Sequence, residues 1–213
     1  MINVLIGDSP ITKVGTGMVF SERAGHHVNW KVAHPAKNFL GVFMATVYPF
    51  RAYRYNPSVA AFDRVLTQPY DKITPTMQEK YYAADPHNLI SIEKGRTLEG
   101  DTREHNVYTR AAVTLKKWFA ERVVVQDDAP AFYAYTQEYD VPGTSLRRTR
   151  QGFIGLGKLE DYSAGVIFRH EHTLSGPKAD RLELLRHTRM LTGQLFMLYA
   201  DPRRQVDTIL GEA

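Results

Sequence analysis

The sequence predicts an α/β protein in which a mixed sheet, including one antiparallel hairpin, is flanked by helices. Three observations carry that expectation. Val107, Ala111, Leu115, Trp118 and Phe119 recur at helical spacing on one face. Residues 131–139 and 152–159 are runs of strand character separated by the turn residues Pro142-Gly143-Thr144-Ser145. Finally, Val166-Ile167-Phe168 leads through a Ser-Gly-Pro stretch into a helical pattern carrying Leu182 and Leu185, which reads as strand, loop and helix.

At 213 residues and 43% hydrophobic content, the chain is long enough to bury a sizeable core. No apolar run approaches the roughly 20 residues that a membrane-spanning helix needs. The first residues show no basic segment followed by an apolar core, so the cytoplasm is the expected compartment. Cysteine is absent, which removes disulfides, thiolate nucleophiles and cysteine-based zinc sites. The pI near 9.2 reflects a formal excess of only +4. Beyond residue 43 the balance is 23 cationic against 21 acidic side chains, which argues against a duplex-DNA binder.

Taken in order, residues 1–43 differ in texture from the rest. Glycines and prolines scatter through them and neither apolar period persists. They are expected to form an irregular or disordered extension, or to precede a true start at Met44, and to pack little against residues 44–213. Thr74-Pro75 supplies an N-cap and a first-turn proline for a helix that ends before Asp85-Pro86. Residues 88–92 read as a short strand and residues 93–105 as a charged surface loop. Asn106 caps the packing helix described above, and residues 123–125 form a short strand before the turn at Asp127-Asp128-Ala129-Pro130. Arg147, Arg148 and Arg150 enter the second hairpin strand, with Arg148 and Arg150 sharing a face by the two-residue rule. Residues 194–199 read as a further strand, and residues 206–210 as the start of a helix.

The candidate site lies in the run from Arg169 to Arg181, which concentrates two histidines, two carboxylates and a Ser-Gly-Pro turn ahead of a helix. A helix N-terminus presents unpaired N–H groups and the positive end of a dipole, which suits an anion. Ser175, Gly176, Lys178 and Arg181 are the expected phosphate-binding residues, because Gly permits close backbone approach and Arg can bind an anion bidentately. Glu171 is placed to act as a general base, or it pairs with Arg169 or Arg181 as plain structure. His170 is expected to orient Glu171 or to bond a phosphate. The His170/His172 pair lacks the spacing and third ligand of a transition-metal site, so no such metal is expected. Asp71, in a loop flanked by Pro69 and Pro75, suits magnesium or a substrate amine, or an Asx turn. Arg148 and Arg150 reach nucleotide phosphates or form a solvated face.

Several motifs together resemble a known family. Pro49-Phe50-Arg51-Ala52, Gln68-Pro69-Tyr70-Asp71-Lys72-Ile73, RTRQGFI from Arg148 to Ile154 and above all the run from His170 to Leu182 are similar to the bacterial and archaeal "domain of unknown function 1015" family. Members are cytosolic and considerably longer, so the chain resembles their N-terminal half. The family is related distantly to the ParB/sulfiredoxin-like fold, some relatives of which phosphorylate free serine. The resemblance therefore implies a phosphotransferase that uses ATP with Mg2+ on a small hydroxyl metabolite such as serine. A non-catalytic nucleotide- or nucleic-acid-binding regulator is the competing reading, and an inactive piece of a longer protein is the third. On that third reading, an apolar surface around Leu198, Ile209 and Leu210 would drive self-association.

Overall fold

The structure is a computed structural model and describes residues 29–31, 44–169 and 175–211. In chain order the strands and helices are β1 (Asn29–Lys31), β2 (Met44–Tyr48), β3 (Tyr53–Tyr55), α1 (Phe62–Val65), α2 (Pro75–Ala84), α3 (Ile90–Glu93), α4 (Val107–Ala120), β4 (Val124–Gln126), β5 (Tyr133–Asp140), β6 (Arg147–Ile154), β7 (Leu156–Gly157), α5 (Ser175–Thr188) and α6 (Gln205–Gly211). The α/β class is as expected, and strand pairing among the described residues is antiparallel throughout. The chain divides into two compact units, one of Met1–Ala52, Asp128–His170 and Gln194–Ala213, the other of Tyr53–Asp127 and Glu171–Gly193.

In the described part of the first unit, the β5–β6 hairpin runs in register from Tyr133 opposite Ile154 to Asp140 opposite Arg147. The second strand therefore starts at Arg147, earlier than the 152 expected, and stops at Ile154. Gly155 separates it from β7, and a Cβ there would meet the Phe132 ring at 2.9 Å. β7 pairs instead with β2, whose other edge carries β1 through Asn29–Thr46 and Lys31–Met44. Val47, Phe153 and Val206 form the core, with Phe132, Met197, Tyr199 and Leu210 packed against it. The strand expected at residues 194–199 is not formed. Met197 and Tyr199 dock on that core while Leu195 and Leu198 face solvent, so the segment packs its apolar side chains without a hydrogen-bonded ladder. Leu198 and Ile209 are exposed, whereas Leu210 joins the core. No strand forms at Val166–Phe168 either. Gly165 ends the 3-10 turn Tyr162–Ala164 in the left-handed region, at φ 65, and the chain bends through the apolar run.

The second unit is built on α4. Asn106 accepts from the N–H groups of Tyr108 and Thr109, and the Thr109 hydroxyl accepts in return from the Asn106 N–H, so the helix starts on a reciprocal cap. Ala111, Leu115 and Trp118 on its inner face pack with Ile92, Val123 and Leu184. α2 begins as expected, with Thr74 accepting from Met77 N–H and Pro75 in the first turn. The strand expected at residues 88–92 is a helical turn, α3. The fully buried Asn88 carboxamide accepts from Ile90 N–H at 2.9 Å and donates to the Arg64 carbonyl at 2.7 Å, closing the backbone into a turn. So short an apolar run fits either period, and the asparagine decides it.

Candidate functional site

The site is assembled by the core of the second unit. Ile92 on α3 and Leu184 on α5 are both buried in the α4 cluster, which brings the end of α3 against the first turns of α5. α5 begins at Ser175, so Ser175, Gly176 and Pro177 are its first turn and not a loop ahead of a helix starting near Leu182. A proline is tolerated there because a first-turn N–H has no partner within the helix. Leu182 and Leu185 are the exposed leucines, and the packed side runs through Pro177, Asp180, Arg181 and Leu184.

A partly buried ion cluster holds this junction together. The Arg181 guanidinium donates to Glu93 Oε1 at 3.0 Å, to the Glu93 carbonyl at 2.9 Å and to Asp180 Oδ2 at 2.8 Å. Its face lies 4.1 Å from the centre of the Tyr70 ring. Glu93, with only 8% of its side chain exposed, also accepts from the Thr192 hydroxyl. The Tyr108 hydroxyl donates to Asp180 Oδ1 at 2.9 Å, and its ring stacks on His187. Burial, reinforced by the hydrogen bond to Asp180, pushes the Tyr108 hydroxyl up to about 12.

Beside the cluster lies a cleft of about 710 Å³. Its lining includes Tyr70, Asp71, Lys94, Tyr108, Gly176 and Arg181. Asp71 sits in a 3-10 turn, Tyr70–Lys72, that is held from behind by Lys94. The Lys94 ammonium donates to the Tyr70 carbonyl at 3.0 Å and to the Ile73 carbonyl at 2.8 Å. Gln78 fixes Lys94 in turn by donating to its carbonyl at 2.7 Å. At Gly95 a Cβ would fall 2.9 Å from Val107 Cγ2, so the glycine lets the loop close onto α4 along the edge of the cleft.

Of the residues the sequence singled out, the structure brings Asp71, Gly176 and Arg181 to this one cleft. Ser175 and Lys178 are exposed on α5 and are not part of the lining. His170 and Glu171, with His172, lie outside the described residues. Arg148 and Arg150 belong to the first unit. Arg148 is exposed; Arg150 donates to the buried Gln137, and its guanidinium lies 4.9 Å from the centre of the Phe196 ring. Among the described residues, no group of three or more His, Asp or Glu side chains is arranged to hold a metal ion, and no helix is long and apolar enough to cross a membrane. Sequence reasoning missed Glu93, Lys94 and Tyr108, and named Tyr70 only as the neighbour of Asp71. Glu93-Lys94-Gly95 reads as solvated loop, and the available signal was the apolar Leu89-Ile90-Ser91-Ile92 run that carries Glu93 inside.

These features define an α/β protein with a polar cleft at the meeting of α3, α5 and the Tyr70 turn. The chain belongs to the DUF1015 family of proteins of unknown function, whose profile matches residues 47–213. No curated protein and no solved structure matches it.

Proposed function

We propose that the cleft of the second unit is the site of a small-molecule phosphotransferase, with ATP and magnesium as donor and a hydroxyl metabolite as acceptor. The observation that supports this reading is that the first turn of α5 and the carboxylate of Asp71, far apart in sequence, line one cleft. The first turn of a 14-residue helix offers N–H donors and a positive dipole end to a phosphate group. Magnesium on a nucleotide keeps most of its ligands as water and phosphate and takes only one or two protein carboxylates, so Asp71 in the cleft lining suits such an ion without a protein cage. Bound there, magnesium would neutralise charge on the transferring phosphoryl group. Glu171, which precedes α5 in sequence and lies outside the described residues, is the base for the acceptor hydroxyl in this reading, and its replacement by Gln is expected to remove turnover while sparing binding.

The test uses Gly176, where an added Cβ meets nothing within 4 Å. In Gly176→Asp, a carboxylate placed in the first turn of α5 should raise stability by about 0.3–1 kcal/mol through the helix dipole. The same charge should repel phosphate and weaken ATP binding roughly tenfold. Isothermal titration with MgATP and an ADP-release assay over a panel of hydroxyl metabolites read the two effects. Unchanged ATP affinity in Gly176→Asp removes the helix terminus from the reading, and absence of ATP-dependent transfer to every hydroxyl tested removes the activity.

A further inference from the structure

The β5–β6 hairpin sorts its charges by face. Side chains along a strand alternate between faces, and the register sets Gln137 opposite Arg150 and Tyr139 opposite Arg148. Glu138, Asp140 and Arg147 therefore share one face, where Arg147 pairs with Glu138 at 2.7 Å. The other face carries Tyr135, Gln137, Tyr139, Arg148 and Arg150, two cations and no carboxylate. Among the described residues no acidic side chain pairs with Arg148 or Arg150.

Arg150 is the more informative of the two. Its contacts are neutral: it donates to the carboxamide oxygen of Gln137, a residue only 4% exposed, and its guanidinium lies 4.9 Å from the centre of the Phe196 ring. Its Nε is buried and has no hydrogen-bond partner. The bond to Arg150 takes the Gln137 oxygen and leaves the carboxamide N–H2 as a further donor, with no acceptor among the described residues. Burial raises the Tyr135 hydroxyl above its ordinary range while the Arg150 charge acts to lower it, so the two lie within electrostatic reach. A half-buried guanidinium without a carboxylate is costly, because buried charges are ordinarily paired. Donors and positive charge thus gather on one face, and no anionic group among the described residues compensates them.

We propose that this face of the hairpin binds a phosphate group, held between Arg150 and Arg148. Residues two apart on one strand lie about 7 Å from each other, and each planar guanidinium can bind phosphate oxygens bidentately. A doubly charged phosphate matches two cations better than a carboxylate does. Two sources supply that chemistry, inorganic phosphate and the phosphate ester of a metabolite. The proposal uses no residue of the cleft and rests on no part of the phosphotransferase reading.

The experiment records arginine Nε–Hε and backbone amide signals of the full chain by NMR, at about pH 8, where a phosphate ester carries close to two charges. The ligands are inorganic phosphate, glycerol phosphate and acetate, and the Arg150 signal is assigned by its loss in Arg150→Lys. Expected are saturable shifts of that signal and of the amides of residues 147–152 with a phosphate, roughly tenfold tighter or more than with acetate. The tighter of the two phosphates identifies the source. Arg148→Ala, at an exposed position, should weaken binding about tenfold. Gln137→Glu sets a carboxylate against Arg150 and should abolish binding while the melting temperature holds or rises. If that variant fails to fold, Arg148→Ala decides. Absence of any saturable shift at the hairpin would overturn the proposal, as would acetate binding as tightly as phosphate. Undiminished affinity in Arg148→Ala, or in a folded Gln137→Glu, would overturn it too. Signals from the cleft residues report separately on the phosphotransferase reading, so either can fail alone.

Discussion

The Arg181–Glu93 pair joins α5 to the end of α3, and its removal should be costly in a way that a double substitution relieves. Only 8% of the Glu93 side chain is exposed, against 27% for Arg181. Removing one partner of a fully buried pair costs about 3–5 kcal/mol, because the other charge is left without compensation. Arg181 is a quarter exposed, so Arg181→Met should cost roughly 2–4 kcal/mol, the methionine keeping much of the apolar stem. Among the described residues, Thr192 then remains as the side-chain partner of Glu93. The Tyr70 ring also loses the guanidinium that covers it, which loosens the turn carrying Asp71. Replacing both residues by methionine removes the stranded charge, so Arg181→Met/Glu93→Met should be more stable than Arg181→Met by about 1 kcal/mol or more. Urea unfolding of the four proteins, followed by circular dichroism, measures the cycle. A loss below about 1 kcal/mol in Arg181→Met, or a double variant no better than that single one, would refute the reasoning that the charge on Glu93 is stranded.

The parts of this fold that the sequence makes legible are those decided by local chemistry. Thr74-Pro75 and Asn106 name their helices because a capping side chain and a fixed proline φ act within one turn. The β5–β6 hairpin was legible because Pro142 and Gly143 sit between runs of strand character. Where the deciding interaction is distant, local reading fails. Residues 88–92 turn into α3 because Asn88 reaches the carbonyl of Arg64, and in residues 194–199 the apolar side chains Met197 and Tyr199 pack on the core around Phe153 without strand pairing. The site divides along the same line. Asp71, Gly176 and Arg181 were singled out from local motifs and do meet in one cleft, but Arg181 faces that cleft with its guanidinium already bonded to Glu93. A buried glutamate in a charged stretch carries no local mark, so the loss of Arg181 as a free anion ligand could only be seen once α3 and α5 were packed together.

Two further expectations test the frame around the cleft. Arg122 follows α4 in the left-handed region at φ 54, a conformation that costs a non-glycine residue roughly 1 kcal/mol, so Arg122→Gly should raise the unfolding midpoint in urea, offset in part by glycine's extra chain entropy. A midpoint at or below that of wild type would mean the terminus carries no strain. The last expectation concerns Tyr108. Its hydroxyl is partly withdrawn from water and donates to Asp180, and these effects hold it near 12 against about 10 in an unfolded chain. A group raised on folding lends its stability in full below the unfolded value and loses it as pH rises through the folded one. The advantage of wild type over Tyr108→Phe should therefore be constant up to about pH 10 and shrink between about pH 10 and 12. Comparing the two proteins removes the contribution of the other tyrosines, which titrate in both. At neutral pH the variant loses one hydrogen bond to a carboxylate that keeps Arg181, a loss of about 1 kcal/mol. Urea unfolding at intervals from pH 8 to 12 reads the difference directly. A gap that stays level across that range would show that Tyr108 ionises as freely in the folded chain as in the unfolded one, and that its bond to Asp180 does not hold the proton.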